Sequence, residues 1–332
     1  MKSHGGLFDG IVGVPNLERA AAAAARGKRD KPDVARFLAE AGVELPRLSL
    51  ELANGSYRTR PYRQFRIHEP KPRTISCADF RDRVVHHAVC DEIGPLLERR
   101  FVFESYACRV GKGAHRAAAR AQELARRYHY FLKLDVAGFF DSVDHAILLD
   151  LLARSFSEKR LRNLLDVIVR SSPPGASDGK GLPIGNLTSQ WFANLYLDGL
   201  DHHVKETMRT PGYIRYMDDM LLFSDSKAVL WAAHDETAAW LNRNRALAVK
   251  AAATVLAPCV EGIPFLGLCV FPGTWRLQRA RFLRTRRRMC GRERACLAGL
   301  LSAEQLALST GAAQGILSWF GIKGVLPAGL EA

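Results

Sequence analysis

YIRYMDDMLLFSD, residues 213–225, is two short apolar runs around a pair of adjacent aspartates. Runs of this length, rich in Ile, Tyr, Leu and Phe, predict a β-hairpin with Asp218 and Asp219 at its apex. An Asp-Asp pair standing alone is most often a solvated turn. Here a second acid accompanies it: YFLKLDV (130–136) reads as a short apolar strand that ends on Asp135. A carboxylate at the end of a buried strand is costly unless it is paired or metal-bound. Three carboxylates converging at strand tips would repel one another unless a divalent cation neutralised them, and hard oxygen ligands suit Mg²⁺.

Outward from these strands the chain alternates helical and extended segments. Residues 79–100 space Phe80, Val84, Ala88 and Ile93 along one helical face. Two helices are expected over 145–171, a long amphipathic helix over 188–208 and another over 227–244. The stretch 57–67 reads as a basic extended strand, and IPFLGLCVF (263–271) as a further strand. Residues 1–56, with six alanines at 20–25 followed by Arg26, Lys28 and Arg29, predict helices with a basic face. From Trp275 onward the chain reads as a basic helical tail. The fold class expected is therefore α+β, with acids at strand tips.

Composition narrows the partners. With 48 Lys and Arg against 34 Asp and Glu, the net charge is +14. So basic a chain points to a polyanion, because each neutralised phosphate releases counterions. A membrane is not expected, since no stretch approaches the roughly 20 apolar residues of a spanning helix. The start, MKSHGGLFDGIVG, has neither the basic beginning nor the apolar run of a secretory signal. Seven scattered cysteines, none spaced CxxC, predict reduced thiols and a cytoplasmic setting.

Several stretches in one order carry a family resemblance. LKLDVAGFFDSVDH (132–145), GLPIGNLTSQWFANLYL (181–197) and Tyr216-Met217-Asp218-Asp219 resemble motifs A, B and C of reverse transcriptases. KPRTISCADFRDRVVHHAV (71–89) and YACRVGKGAH (106–115) resemble the fingers motifs of the bacterial members, and FLGL (265–268) the primer-grip turn. The resemblance spans about residues 57–271. It is nearest to the enzymes of diversity-generating retroelements. Where most reverse transcriptases are similar to QGxxxSP, this chain has Ile184 in place of the Gln and Gln190, after Ser189, in place of the Pro.

The resemblance implies a right-hand polymerase: a helical segment over 1–56, fingers over 57–130, a palm of antiparallel sheet packed on helices over 131–271, and a helical basic thumb over 272–332. Asp135, Asp218 and Asp219 become the catalytic carboxylates. With the Val136 carbonyl they would hold two Mg²⁺ ions, Mn²⁺ being the alternative, of the kind that activate a 3′-hydroxyl and stabilise leaving pyrophosphate. Lys71 and Arg73 fall where the family grips the triphosphate, a point charge beside a bidentate fork. Val136, Ala137, Gly138, Phe139 and Phe140 would line the dNTP together with Ile184 and Gly185. Phe140 takes the steric-gate position against a ribose 2′-hydroxyl, whereas Phe139 reads as core. Ile184, Ser189 and Gln190 stand where template and base pair are checked; an apolar side chain at 184 removes a polar contact and should loosen discrimination opposite adenine.

Arg109 and Lys112 in the glycine loop, and Arg279, Arg284, Arg287 and Arg288 in the tail, are the candidate nucleic-acid contacts. From Arg276 to Arg294 there are nine arginines and one acid, Glu293. Asp141 and Asp144 read as structural. Family members often place a Lys before the Thr of motif D; here Ala253 precedes Thr254, leaving Lys250 as the nearby substitute. The partners implied are template RNA, primer or cDNA, dNTP and a small basic oligomeric accessory protein. Two other readings stand beside this one: another stand-alone bacterial reverse transcriptase, of retron or defence type, and a polymerase-derived RNA-binding protein without catalysis.

Overall fold

The structure, a computed structural model, describes residues 4–67, 73–171 and 177–319 of the chain, with side chains described as far as residue 311. Four helices begin it: α1 (Phe8–Val12), α2 (Val14–Ala24), α3 (Pro32–Ala39) and α4 (Ala41–Ala53). A two-stranded hairpin, β1 (Arg63–Ile67) and β2 (Arg73–Cys77), leads into α5 (Phe80–Arg100) and α6 (Ala114–Arg127). Then come β3 (Tyr130–Leu134), α7 (Phe139–Ser142), α8 (His145–Ser155), α9 (Lys159–Arg170) and α10 (Leu187–His202). The hairpin β4 (Gly212–Tyr216) and β5 (Asp219–Ser224) precedes α11 (Lys227–Arg245), β6 (Val255–Pro258), β7 (Ile263–Phe265), β8 (Leu268–Val270) and β9 (Trp275–Leu277). Two helices, α12 (Arg279–Leu297) and α13 (Ala303–Trp319), follow.

The sheet that carries the acids has the strand order β4-β5-β3-β6, antiparallel throughout. Alternation along its strands fills two cores. Leu132, Leu134, Met220, Leu222 and Tyr213 face the helical layer built from α5, α8, α9 and α10. Phe131, Leu221, Phe223 and Ile214 face α6 and the smaller β7-β8-β9 sheet. A strand covered on both faces becomes the near-continuous apolar run seen in YFLKL.

Local chemistry sets the boundaries. Asp144 caps α8, accepting from the amides of Ala146 (2.9 Å) and Ile147 (3.1 Å), which confirms it as structural. Asp79 caps α5 through Arg81 N at 3.0 Å. The N-terminal helices form as expected, and four alanines of the run, Ala20, Ala21, Ala24 and Ala25, are buried in the same core as α5 while Ala22 is exposed.

Three expectations need correction. IPFLGLCVF is a tight hairpin rather than one strand, because Leu266 and Gly267 both take positive φ (53° and 80°) between the paired Phe265 and Leu268. The basic strand foreseen over 57–67 pairs only from Arg63, while Tyr57 turns inward and donates to Asp82 at 2.7 Å. Finally, α10 is not amphipathic. It is buried from Phe192 to Asp198 on every side, and its acids Asp198 and Asp201 are met there by Arg100 and Arg215. It ends at His202 and continues as a wider π-helical turn over His203–Thr207. All seven cysteines are free thiols. Among the described residues no helix is long and apolar enough to cross a membrane.

Candidate active site

The pairing of Tyr216 with Asp219 leaves Met217 and Asp218 as the two residues of the β4–β5 turn. Met217 sits at φ 55°, a left-handed conformation that costs a side-chain-bearing residue roughly 1–2 kcal/mol. Two features hold it there. Its side chain is buried in the helical-layer core, and its carbonyl accepts from Arg215 Nη1 at 3.2 Å. The strain aims Asp218 out of the turn, while Asp219 becomes the first residue of β5.

The β3–β5 register pairs Leu134 with Met220, so one step further Asp135 stands across from Asp219, with both side chains on the same face. Asp218 lies close enough to Asp135 to feel its charge. Burial, and then the Asp135 charge, push Asp218 up to about 6, against a smaller pull from Arg73. Burial likewise raises Asp219 to about 6, with Asp135 and Asp218 adding to the rise and Lys133 opposing it. The three sequence-predicted acids thus lie near one another at one end of the sheet, and burial first, then their mutual repulsion, raises the proton affinity of Asp218 and Asp219.

Lys133, on the same face of β3, lies within the stretch 132–145, though the resemblance gives it no role there. Its Nζ lies 3.1 and 3.2 Å from the two oxygens of Asp219 and donates to the Pro264 carbonyl at 2.9 Å. Asp219 Oδ1 is buried with no hydrogen bond of its own. The position of Lys133, two residues before Asp135 in an alternating strand, is the signal the sequence offers.

On the other edge of β3, the 248–250 segment runs alongside 135–137: Lys250 N donates to Asp135 O at 2.8 Å and Ala137 N to Ala248 O at 2.9 Å. Strand alternation therefore turns the Val136 carbonyl the other way, toward the β4–β5 hairpin. Lys250 faces Asp135 across this ladder, with its side chain exposed. The donors that a cation would meet, the Asp135 and Asp218 carboxyls, the buried Asp219 oxygen and a backbone carbonyl, are all hard oxygens and fit a divalent ion. Among the described residues no three acid, His or Cys side chains already surround one point, and Asp219 is paired with Lys133.

The nucleotide side assembles around β2. Ser76 N donates to Ile184 O at 3.0 Å, joining the β1–β2 hairpin to the loop before α10. Gly185 is at φ +124°, and a Cβ there would come within 3.0 Å of the Ser76 carbonyl, so only glycine lets the two backbones meet. Arg73 opens β2, exposed and close enough for its charge to act on Asp218. Lys71 lies outside the described residues. Gly138 (φ 53°) starts the α7 turn. Phe139 is buried among the core residues, as expected, and Phe140 packs edge-on against it at 5.5 Å while remaining partly exposed. Ile184 and Gln190 are partly exposed, whereas Ser189 is buried and can act on a template only through packing. Asp141 is exposed on α7 and no part of the acid cluster.

One expected nucleic-acid contact, Arg109, has its donors taken up by partners within the chain, and another, Lys112, rests on its own loop. Arg109 is turned inward: it pairs with Glu98 at 2.8 Å and donates to the carbonyls of Ser105 (3.0 Å), Glu98 (3.3 Å) and Phe101 (3.4 Å). Carbonyls left open where α5 ends consume its donors. Lys112 folds back onto its own loop, donating to Phe103 O at 2.9 Å with Nζ 3.2 Å above the Phe103 ring. In α12, by contrast, Arg279, Arg287 and Arg288 are exposed and Arg284 partly so.

Residues 67–270, more than half the chain, match the model of the family described as "Reverse transcriptase (RNA-dependent DNA polymerase)". Protein YkfC of Escherichia coli (strain K12) is 27% identical over 181 residues, covering 51% of this chain and 47% of that protein. The group II intron-encoded protein LtrA of Lactococcus lactis subsp. cremoris is 24% identical over 171 residues, covering 48% of this chain and 28% of that protein. The chain thus spans less than half the length of these curated relatives. Among solved structures, apo telomerase from Candida tropicalis, truncated from its C-terminal domain, superposes with a TM-score of 0.51 at 11% identity, over 68% of this chain and 58% of that one. That likeness concerns the fold alone and agrees with a right-hand polymerase. The matched segment takes in Asp135, Asp218, Asp219 and the strands that carry them, and the chain belongs to the reverse transcriptase family.

Proposed function

We propose that the protein is an RNA-directed DNA polymerase that copies a template RNA into cDNA from dNTPs, working in the cytoplasm. The single observation that supports this most is the convergence of Asp218 on Asp135, with Asp219 across the strand, at the open end of an antiparallel sheet. In this reading residues 57–130 are fingers, 131–271 palm and 272–332 thumb, with 1–56 packed behind the fingers. Asp135, Asp218 and Asp219, with the Val136 carbonyl, would hold two Mg²⁺ or Mn²⁺ ions. Such ions, when bound, supply a more acidic 3′-hydroxyl and charge neutralisation at the leaving pyrophosphate.

The chain's own groups do the rest. Arg73, with Lys71, offers positive charge to the triphosphate beside Asp218. Val136, Ala137 and Gly138 bring backbone close to it. Phe140 occludes the space beside the sugar, resting on the immobile Phe139. Lys250, across from Asp135, is the nearest candidate proton donor to pyrophosphate. The exposed arginines of α12 lie along the nucleic-acid backbone, fixing position without reading sequence.

A finer reading rests on Ile184 and Gln190: a polymerase of the diversity-generating type, error-prone at template adenines and served by a small basic accessory protein. Replacing Ile184→Gln should lower misincorporation opposite adenine severalfold, on the order of 1 kcal/mol of discrimination; an unchanged error spectrum would count against the subtype and leave the polymerase standing. For the polymerase itself the test is primer extension on RNA with Mg²⁺. Wild type should extend, and Asp218→Ala/Asp219→Ala should not; equal extension by both, or none by wild type, would sink the proposal.

A further inference from the structure

Among the described residues Lys133 is the cation that forms an ion pair with an acid of the cluster. It is held from two sides, by the Asp219 carboxylate at 3.1 Å and by the Pro264 carbonyl at 2.9 Å, and its side chain is only 18% exposed. It also faces the strand neighbours that matter. Lys133 and Asp135 are alternate residues on one face of β3, and Asp219 stands opposite Asp135 on β5. Asp219 is therefore the acid that the lysine holds, whereas among the described residues Asp135 and Asp218 form no ion pair.

A lysine ammonium is a compact point charge with three donors and no acceptor. Two donor directions are already committed, to Asp219 and to Pro264. Pro264 belongs to β7, which closes through the Leu266–Gly267 turn onto β8, so the contact also ties the acid-bearing sheet to the smaller one. Charge counting completes the picture. Three carboxylates and one ammonium sum to a charge of −2, which one divalent ion neutralises; without the ammonium the sum is −3.

We propose that Lys133 is a positioning residue that holds Asp219 in reserve, so that without nucleotide the cluster takes one divalent ion on Asp135 and Asp218 and leaves Asp219 on the lysine. This deepens the polymerase reading and rests on it for the identity of the acids. Lys133 makes the cluster asymmetric: one half is a site for a single ion, and the other is a carboxylate whose partner must be displaced before it can serve a second. Nucleotide triphosphate, which brings its own oxygens and charge, is the natural occasion for that displacement.

The test is Mn²⁺ binding to the full chain without nucleotide, followed by electron paramagnetic resonance and calorimetry, in wild type, Lys133→Met, Lys133→Arg, Asp219→Asn and Lys133→Met/Asp219→Asn. Wild type should bind one ion, and Asp219→Asn should change its affinity less than twofold. Lys133→Met should bind roughly tenfold tighter or take a second ion, because an unpaired carboxylate has joined the site. Lys133→Arg, which keeps the charge, should resemble wild type. The double variant should return to the affinity of Asp219→Asn, since the lysine acts through that acid. Circular dichroism and thermal melting of each variant confirm that folded protein is compared. Lys133→Met within twofold of wild type, or an equal effect of Lys133→Met in the Asp219→Asn background, would overturn the proposal while leaving the metal centre intact. Absence of Mn²⁺ binding in every variant would overturn the centre itself and this inference with it.

Discussion

The guanidinium of Arg215 meets both carboxylate oxygens of Asp201, at 2.7 and 2.6 Å, with neither side chain exposed to solvent. Its remaining donors reach Asn194, Ser105 and the Met217 carbonyl. One residue thus fastens the acid-bearing turn to α10 and to the loop ahead of α6. Removing a single member of a buried pair strands the other charge, a loss of about 3–5 kcal/mol. Arg215→Met should therefore lower stability by that order in urea denaturation. Arg215→Met/Asp201→Leu should recover part of it without restoring the hydrogen bond to Met217. A loss no larger than a surface substitution would show that the turn is held by other means.

His86 supplies a pH dependence. It is buried on α5 with neither ring nitrogen hydrogen-bonded, and burial, helped by the His87 and Arg83 charges, depresses it to about 3. Between that value and the ordinary 6.5, the unfolded chain binds a proton that the folded chain refuses. Stability should therefore fall as pH drops from 6.5, by up to about 1.4 kcal/mol per unit from this side chain alone. His86→Leu should flatten that slope in chemical denaturation at pH 7, 6 and 5; an unaltered slope would assign the acid sensitivity elsewhere.

Phe140 leads to a prediction about sugars. Its ring is braced edge-on by Phe139, which is itself buried, so it has little freedom to yield to a 2′-hydroxyl. Phe140→Ala should raise ribonucleotide incorporation relative to deoxyribonucleotide by at least about tenfold, roughly 1.4 kcal/mol of selectivity. Competing the two nucleotide pools in primer extension measures it, and unchanged sugar preference would remove Phe140 from the gate.

Arg109 and Arg287 should separate cleanly. Arg109→Ala strands buried carbonyls and Glu98, and should cost about 2–4 kcal/mol of stability while leaving the salt dependence of RNA binding alone. Arg287→Ala on exposed α12 should do the reverse. With one phosphate fewer neutralised, the salt slope should fall by about one while the melting temperature stays in place. The opposite pattern would exchange the two assignments.

What the sequence made legible were the features with local causes. The β4–β5 hairpin followed from two apolar runs around a polar pair, and the end of β3 from an acid closing an apolar strand. Asp144 was legible as structural, though its role as the cap of α8 came only with the structure. Other features depend on partners far along the chain. β6 and β9 are short, half-exposed strands without alternation, visible only once β3 and β8 lie beside them. Arg109 looked available because the carbonyls that claim it belong to the end of α5. The burial of α10 could not be read from its own polar residues, since Arg100 and Arg215 neutralise them from elsewhere. Lys133 was hidden in plain view, a polar residue in an apolar strand whose meaning depended on where Asp219 would fall.

The register of β3 against β5 has a consequence for how such a centre can change over evolutionary time. Sliding one strand past the other by a single residue would rotate Asp135 to the opposite face and bring Leu134 into its place. Among the acids only Asp219, paired with Lys133 across the two strands, opposes that slip. The larger resistance comes from Leu132, Leu134, Met220 and Leu222 on one side and Phe131, Leu221 and Phe223 on the other, each fitted to its own core. The alignment of the chemistry is thus entrusted to aliphatic and aromatic residues that never touch a reactant. An insertion or deletion within either strand would be selected against more strictly than most changes to the loops around the substrate.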